Sequence, residues 1–431
     1  MKPELGEFDV FPRVVRAGQE AEITICPLFD HTHFRPPFPY RLLMFPAGGL
    51  PGQPGSTTPL EIEPDWADGM LRFRYSFANE QEYILFLENT SGLARARSYE
   101  FRFYALEDDL FNRRPYKGDL HMHSHRSDGR ESPAYVAGAC RRIGLDFMAL
   151  TDHRQYEPSL EAIRAFQNLP VDLRIYPGEE VHPPDNPVHI VNFGGSFSLN
   201  QVFRQEEERY RAEVQAIAEG LHDFPDGVDP TIYASCAWCF EQIRSGGGLG
   251  VFCHPYWLSR HRYDISETIT SLVLERQPYD ALELLGGYHL FEIESNMLQV
   301  ARYYEERARG KRIPIVGVSD AHGCERDELF GWFYTVVFSH SSDLADLVQS
   351  VKDLYSVAVD ALPGNPPRAH GPFRLVLYSH FLLREIFPLH DALCLEEGRQ
   401  MLAALAGDPH AETLLGALQG RTTALYDHLW A

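Results

Sequence analysis

The chain has 431 residues, of which 44% are hydrophobic and 23% charged, values typical of a globular protein with a large core. They exclude a disordered, collagen-like or coiled-coil chain, and the length exceeds that of most single domains. Asp and Glu outnumber Lys and Arg by 61 to 39, so the net charge of −22 opposes binding to a nucleic-acid polymer or an anionic membrane.

Residues 1–112 are predicted to form β structure. Leu71, Phe73, Tyr75 and Phe77 alternate with polar residues, and this period of two places one face of a strand in a core and the other in water. Turn-forming segments such as FPAGGLPGQPGS separate the candidate strands. We expect an antiparallel β-sandwich-like domain here, without a visible catalytic motif.

From residue 113 to residue 340, strand-like stretches alternate with helix-like stretches. The strand-like segments include DFMAL, LRIYP, VHIVNF, LGVFC, DALELL and RIPIVGVS, with FYTVVF as the last. One helix is predicted to begin at Ser132 and Pro133, and a long amphipathic helix is predicted over about 202–221. The repeated β-then-α order favours a parallel α/β domain. Residues 341–431 are predicted to form a helical C-terminal extension.

Apolar runs and cysteines indicate the compartment. No apolar run reaches the roughly 20 residues that a membrane-spanning helix needs, and the segment MKPELGEFDVFPR has no apolar signal core. The seven cysteines are scattered and odd in number, unlike a disulfide framework. We therefore expect a cytoplasmic protein. Cys236 and Cys239 form a CxxC pair without a second pair, and we interpret them as buried helix cysteines.

Histidine and acidic residues recur where predicted strands end. His121 and His123 form an HxH motif, and residues two apart on a strand point to the same side, so both imidazoles can reach one metal ion. In an α/β barrel the carboxyl ends of the strands meet at one rim. The set therefore predicts a metal site of imidazole and carboxylate ligands. Its members are His121, His123, Asp128, Asp152, His153, Glu179, Glu180, His189, His254, Asp320 and His322.

The segments DLHMHSHRSDG, ALTDH, GEE, VHIV, CHP and GVSDAHG resemble the motifs of the PHP superfamily, named for polymerase and histidinol phosphatase domains. The resemblance covers about residues 116–340 and is specific because five or more motifs occur in the right order. It implies a distorted (β/α)7 TIM-like barrel, the PHP fold, which holds two or three divalent ions. Manganese, zinc and iron are the candidate metals. Members of the superfamily mostly hydrolyse phosphoesters.

The resemblance also implies which residues hold each ion. The three sets are His121, His123, Glu180 and Asp320 for the first ion; Glu180, His189 and His254 for the second; and Asp128, His153 and His322 for the third. Glu180 would thus bridge two ions. It fits the motif of Gly, any residue and Glu better than Glu179, which remains the alternative.

Further residues have two interpretations each. Asp152 is a candidate catalytic residue that would act by orienting a ligand, or else a turn residue. His322 is a candidate proton donor to the leaving group if the third site is empty, with His153 and Asp128 as the alternatives. Glu283 ends a predicted strand and can reach the same rim. The residues interpreted as ordinary surface or core residues, with a functional role as the alternative, are His125, His182, His261, Arg126, Arg130, Arg154 and Arg260.

These inferences predict a multinuclear metal-dependent hydrolase, namely a phosphoesterase for a small phosphorylated substrate. A metal-bridging hydroxide would attack phosphorus, because coordination lowers the pKa of water. Ester, amide or carbamate hydrolysis on the same metals is one alternative, since the ligands do not distinguish these reactions. A non-catalytic metal-binding module is the other alternative. The sequence names neither the substrate nor the oligomeric state.

Overall fold

The computed structural model of the protein describes residues 2–34, 40–49, 58–91, 97–225, 227–259, 261–287, 294–324 and 329–430. The chain forms two compact units. Unit 1 comprises Met1–Arg114, Val376–Leu393 and Gly420–Ala431, and unit 2 comprises Pro115–Leu375 and Cys394–Gln419. Residues 341–431, which the sequence groups as one extension, are thus divided between the units. No helix in the described part of the chain is long and apolar enough to cross a membrane.

Unit 1 contains two β-sheets that share one hydrophobic core. Its strands are β1 (Phe8–Phe11), β2 (Val14–Arg16), β3 (Gln19–Pro27), β4 (Tyr40–Pro46), β5 (Leu60–Ile62), β6 (Asp65–Ala67), β7 (Met70–Phe77), β8 (Gln81–Asn89) and β9 (Tyr99–Leu106). The sheet orders are β1-β3-β7-β6 and β2-β9-β8-β4-β5. The pairs are antiparallel except β2 with β9. Leu71, Phe73 and Phe77 are buried in the core, as the period of two predicts.

Short helices flank these strands: α1 (Pro3–Glu7), a 3-10 turn (Asp30–Thr32) and α2 (Asp108–Phe111). The helices that follow in unit 2 are α3 (Pro133–Arg142), α4 (Glu157–Phe166), α5 (Leu199–Gln205), α6 (Glu207–Glu219), α7 (Pro230–Ser245), α8 (Glu267–Arg276), α9 (Glu294–Ala308) and α10 (Leu344–Lys352). The last helices are α11 (Phe373–Glu385), α12 (Phe387–Leu405), α13 (Ala411–Leu418) and α14 (Arg421–Leu429).

Local signals explain the helix ends. The Ser132 hydroxyl accepts a hydrogen bond from the N–H of Tyr135 at 3.3 Å, so α3 begins where the sequence predicts. The long helix predicted over about 202–221 is instead two helices, because the backbone of Glu206 leaves the helical region at φ −131° and ψ 35°. Cys236 and Cys239 are both buried in α7, as predicted.

The strands of unit 2 form two larger sheets and a small hairpin. They are β10 (Arg114–Asp119), β11 (Phe147–Ala149), β12 (Arg174–Tyr176), β13 (Gly178–Val181), β14 (Ile190–Phe193), β15 (Leu249–Phe252), β16 (Leu258–Ser259), β17 (Arg262–Tyr263), β18 (Ala281–Leu285), β19 (Ile315–Gly317), β20 (Phe333–Ser339), β21 (Ser356–Asp360) and β22 (Arg368–His370). The sheet orders are β12-β11-β10-β20-β21-β22 and β13-β14-β15-β18-β19. Unit 2 is therefore a mixed α/β structure, and its described strands form no closed barrel.

Strand directions depart from the predicted parallel order in two places. β10, β11 and β12 are parallel, and so are β15, β18 and β19. β14, however, is antiparallel to β13 and β15, because it follows β13 without the crossover helix that a parallel neighbour requires. β21 and β22 also pair antiparallel, beside β20, so residues 341–431 are not helical throughout.

Candidate metal centre

Strand ends position the predicted ligands. His121, His254 and Asp320 each follow a strand within three residues of its carboxyl end. His189 instead directly precedes β14, where Ile190 lies opposite both Val181 of β13 and Phe252 of β15. Because β14 is antiparallel, its amino end lies beside the carboxyl ends of its neighbours, and His189 reaches the same place.

Backbone pairing joins the ligand segments. An isolated parallel bridge links His153 to Glu180 and so connects the chain after β11 to β13. The N–H of Asp320 donates to the carbonyl oxygen of His121 at 2.9 Å. His254 and Asp320 have φ angles of 22° and 51°, in the left-handed region that non-glycine residues rarely adopt. Such strained residues concentrate at functional sites, so these angles agree with a functional role.

The buried carboxylate of Glu180 is the centre of the cluster. Its Oε1 lies 2.8 Å from Nδ1 of His189 and 3.5 Å from Nε2 of His254. In all, six imidazoles have a nitrogen within 4.0 Å of this carboxylate: His121, His123, His153, His182, His189 and His254. Such an arrangement places one carboxylate among enough nitrogen donors to serve two ions.

Unsatisfied polar atoms show that this donor set fits divalent cations. Within the described residues, both oxygens of Glu180, Nε2 of His121, Nδ1 of His123 and Nδ1 of His189 are buried and, despite their short separations, make no hydrogen bond of normal geometry. Nor does any described Lys or Arg nitrogen lie within 4.0 Å of Glu180 or Asp320. Buried carboxylates without a cation are costly, and bound metal ions would remove that cost.

Burial and neighbouring charges have opposite effects on the pKa values of the cluster. Burial alone would raise the pKa of Glu180, but the surrounding imidazoles, His189 foremost, hold that pKa well below its usual range. Burial has the same tendency at Asp320, where His121 likewise keeps the pKa low. Burial would lower the pKa of His254, but nearby carboxylates including Glu180 raise it to about 8. The carboxylates are therefore held ionised, as metal ligands must be.

Glu283 orients the first imidazole of the HxH motif. Its Oε2 lies 3.0 Å from Nδ1 of His121, and both side chains are fully buried. When Nδ1 carries the proton, Nε2 of His121 presents its lone pair toward Oδ1 of Asp320, 3.3 Å away. A carboxylate behind a ligating histidine is a common arrangement at metal sites.

Asp128, His153 and His322 form a more exposed part of the cluster. The Asp128 carboxylate lies 3.4 Å from Nε2 of His153 and 3.4 Å from Nε2 of His322, and its side chain is 55% exposed. Nδ1 of His322 lies 2.9 Å from the carbonyl oxygen of Asp320. Donation from Nδ1 leaves Nε2 facing Asp128. All nine predicted ligands thus lie in one connected cluster.

Glu179 lies outside that cluster. Its carboxylate accepts hydrogen bonds from the Ser198 hydroxyl and the Leu199 N–H, both at 2.6 Å, and from the Asn200 amide at 2.9 Å. These groups form the beginning of α5. Burial raises the pKa of Glu179 although these donors counteract it. Glu179 therefore anchors a helix, which favours Glu180 as the bridging residue.

Asp152, a predicted catalytic residue, has its oxygens occupied by a neighbouring loop. They accept hydrogen bonds from the N–H and hydroxyl of Ser124 at 2.9 and 2.8 Å and from the N–H and hydroxyl of Ser127 at 3.0 and 2.6 Å. These contacts support the interpretation that Asp152 positions the segment leading to Asp128, since its full set of partners leaves little capacity for a substrate.

Two further residues, His182 and Asp119, lie at the centre although they are not among the predicted ligands. His182, interpreted from the sequence as an ordinary residue, has its Nε2 2.9 Å from Nδ1 of His153. It directly follows β13, two residues after Glu180, so the alternation of the strand continued by one residue places it on the same side. Asp119 accepts hydrogen bonds from the N–H groups of His121 and Ser319 at 3.2 and 3.1 Å, and burial raises its pKa to about 7.

The remaining candidates are exposed or lie outside the described residues. His125 and His261 are exposed. Arg126 pairs with Glu161 at 3.0 Å on the surface, as a solvated arginine does. Arg260 lies outside the described residues.

Comparisons with known proteins find similarity over part of the chain. No family model matches the chain. Over 62 residues, 14% of its length, the chain is 44% identical to the DNA polymerase/3'-5' exonuclease PolX of Bacillus subtilis, and it covers 11% of that relative. It is 17% identical to a two-domain protein of Bacteroides vulgatus containing a predicted PHP-like metal-dependent phosphoesterase, with TM-score 0.39, covering 57% of this chain and 65% of that one. An amidohydrolase of Chromobacterium violaceum is 19% identical, with TM-score 0.29 and coverage of 49% and 89%.

Proposed function

We propose that this chain, which resembles the PHP superfamily, is a metal-dependent hydrolase, and specifically a phosphoesterase for a small phosphorylated substrate. One observation carries the proposal. The buried Glu180 carboxylate lies within 4.0 Å of six imidazoles and of no described Lys or Arg nitrogen. Imidazole with carboxylate is a typical ligand shell for zinc, manganese or iron.

The proposal assigns two to three divalent ions to the three ligand sets, with Glu180 shared between the first two. Bound ions supply Lewis acidity and lower the pKa of water, so that hydroxide is available near neutral pH. A distorted barrel and an N-terminal sandwich-like domain are part of the same proposal. So is a small-molecule partner, since the net charge of −22 opposes nucleic acids and membranes.

The side chains have separate tasks in this proposal. Glu283 fixes the proton of His121 on Nδ1 and turns Nε2 toward the cluster. The Asp320 carbonyl does the same for His322, whose Nε2 then faces Asp128. In the proposal, Nε2 of His322 would hold the third ion or, when that site is empty and this nitrogen is protonated, would donate a proton to the leaving oxygen.

A panel of substrates tests the proposal on metal-loaded protein. Phosphomonoesters, phosphodiesters, carboxyl esters and amides are compared, with Glu180→Gln as the site variant and Glu179→Gln as the matched control. We expect phosphoester hydrolysis that is lost in Glu180→Gln and kept in Glu179→Gln. Hydrolysis of carboxyl esters or amides alone supports the first alternative. Two to three bound ions without any hydrolysis supports a non-catalytic module.

A further inference from the structure

A cavity of about 640 Å³ opens beside the candidate metal centre. Its lining includes His182 and His189 from the centre and two arginines, Arg154 and Arg204. We propose that this cavity binds a second anionic group of the substrate, a carboxylate or a phosphate, separate from the bond that is hydrolysed. The inference rests on the proposed hydrolase function, because it narrows the substrate to a molecule with two anionic groups.

The charge of the lining favours an anion. No hydrogen bond or ion pair to a described residue engages the guanidinium of Arg154. Arg204 uses Nη1 to donate to the carbonyl oxygen of Arg154 at 3.0 Å. Asp185 is the acidic residue in the lining, and Arg211 pairs with it at 3.2 Å. The cavity therefore has a positive balance in a chain whose net charge is −22.

The backbone segments that carry both arginines are anchored by Glu179 and Glu180 of β13. The N–H of Arg154 donates to the carbonyl oxygen of Glu180 at 3.0 Å, and Arg154 has a φ of 60°, in the left-handed region. Arg204 belongs to α5, whose first turn is anchored by the carboxylate of Glu179. One arginine is thus linked to each of the two adjacent glutamates of β13.

The chemistry of the lining defines the ligand class. Guanidinium groups bind carboxylates and phosphates through paired N–H donors. The amide side chains of Asn186 and Asn200 also line the cavity, while Phe203 and three prolines supply apolar surface. A short organic chain with an anionic end suits such a lining, and a cationic end does not. Such a group would hold the substrate while its ester lies at the Glu180 cluster.

Substrates that differ in one charge test this inference. Metal-loaded protein is assayed with ω-phosphonooxyalkanoates of two to six carbons, with the matching primary amides, and with α,ω-alkanediol bisphosphates. The first and third series distinguish carboxylate from phosphate as the preferred group. The corresponding ω-phosphonoalkanoates and their amides, whose C–P bond resists hydrolysis, report binding by calorimetry without turnover.

The arginines are then changed singly. We expect Arg154→Met and Arg204→Met each to lower kcat/KM and affinity about tenfold for the anionic series, consistent with loss of a charged hydrogen bond, and to leave the amides within about twofold. Arg154→Lys should retain part of the preference. Arg209→Met, an exposed arginine of α6 paired with Glu206 and Glu213, is the matched control. Metal content and melting temperature verify that each variant is folded.

The outcomes separate this inference from the proposed function. A preference for the anionic series that both Met variants lose and Arg209→Met keeps supports the inference. Hydrolysis without that preference, or a preference unchanged in both Met variants, overturns the inference and leaves the hydrolase standing. Absence of hydrolysis together with arginine-dependent binding of the phosphonoalkanoates overturns the hydrolase and supports the anion site.

Discussion

Glu179 and Glu180 are consecutive residues of β13, yet their carboxylates have no partner in common. Glu180 faces six imidazoles, whereas Glu179 binds the first turn of α5 through Ser198 and Leu199. Successive side chains of a strand point to opposite faces, and here one face meets the candidate metal centre and the other meets a helix. The two glutamates therefore form a matched pair for experiments.

Neutralising each glutamate should have a different effect. Glu180→Gln should abolish turnover and lower metal content by the two ions that share this carboxylate. Glu179→Gln should keep metal and turnover but lower the free energy of unfolding by about 2 kcal/mol, because charged hydrogen bonds to α5 are lost. Elemental analysis, rates and denaturant unfolding decide this. Normal activity in Glu180→Gln would mean that Glu179 bridges instead.

Chelation should destabilise the protein. Purified protein should hold two to three transition-metal ions per chain, and removing them should lower the melting temperature, since ions bind the folded state preferentially. Each site that is saturated a hundredfold above its Kd contributes about 3 kcal/mol. Calorimetry with and without chelator measures the shift, and Glu180→Gln should show a smaller one. Fewer than one ion per chain after reconstitution contradicts the prediction.

Asp128→Asn should affect the third ion alone. The carboxylate is more than half exposed and contacts His153 and His322 but not Glu180. We expect the metal content to fall by about one ion and turnover to fall only partly, because the pair of ions at Glu180 remains. Loss of every ion in this variant would instead show that the sites fill as one cooperative unit.

Glu283→Gln should weaken metal binding without removing a ligand. The substitution keeps the shape of the side chain but removes the charge that orients His121. Changes of this kind typically cost about 10- to 100-fold in metal affinity. Competition with a chromogenic chelator measures that affinity. An affinity equal to that of the unaltered protein would exclude an orienting role for Glu283.

Glu397→Gln should destabilise unit 2 away from the site. Oε2 of Glu397 lies 2.8 Å from Nε of Arg141, and both side chains are buried. The substitution removes the charge of one buried partner of Arg141 while Asp146 remains 3.0 Å away, and the loss of such a charged hydrogen bond costs about 2 kcal/mol. Glu396→Gln changes an exposed neighbour and should cost less than about 0.5 kcal/mol. Equal unfolding midpoints for the two variants would contradict the prediction.

Local patterns explain what the sequence predicts well. The HxH pair and the ligands that follow strands are visible because alternation and strand ends can be recognised within a few residues. His189 was found by its motif, although the reversal of β14 that places it depends on strand pairing. The separate environments of Glu179 and Glu180 likewise depend on which face of β13 is covered. Neither the pairing of two strands nor the packing of a helix on one face of a strand can be recognised from a short segment of sequence.

Distant parts of the chain supply the ligands, and this separation determines when an ion can be held during folding. His123 and Asp320, whose side chains are 2.8 Å apart, are separated by 197 positions. Contacts between such distant residues form late, because closing a long loop costs entropy before any contact repays it. A growing chain therefore lacks one ligand of the first set until Asp320, which follows β19, has been synthesised. Occupancy of the first ion site should therefore follow assembly of the strands that carry His121, Glu180 and Asp320.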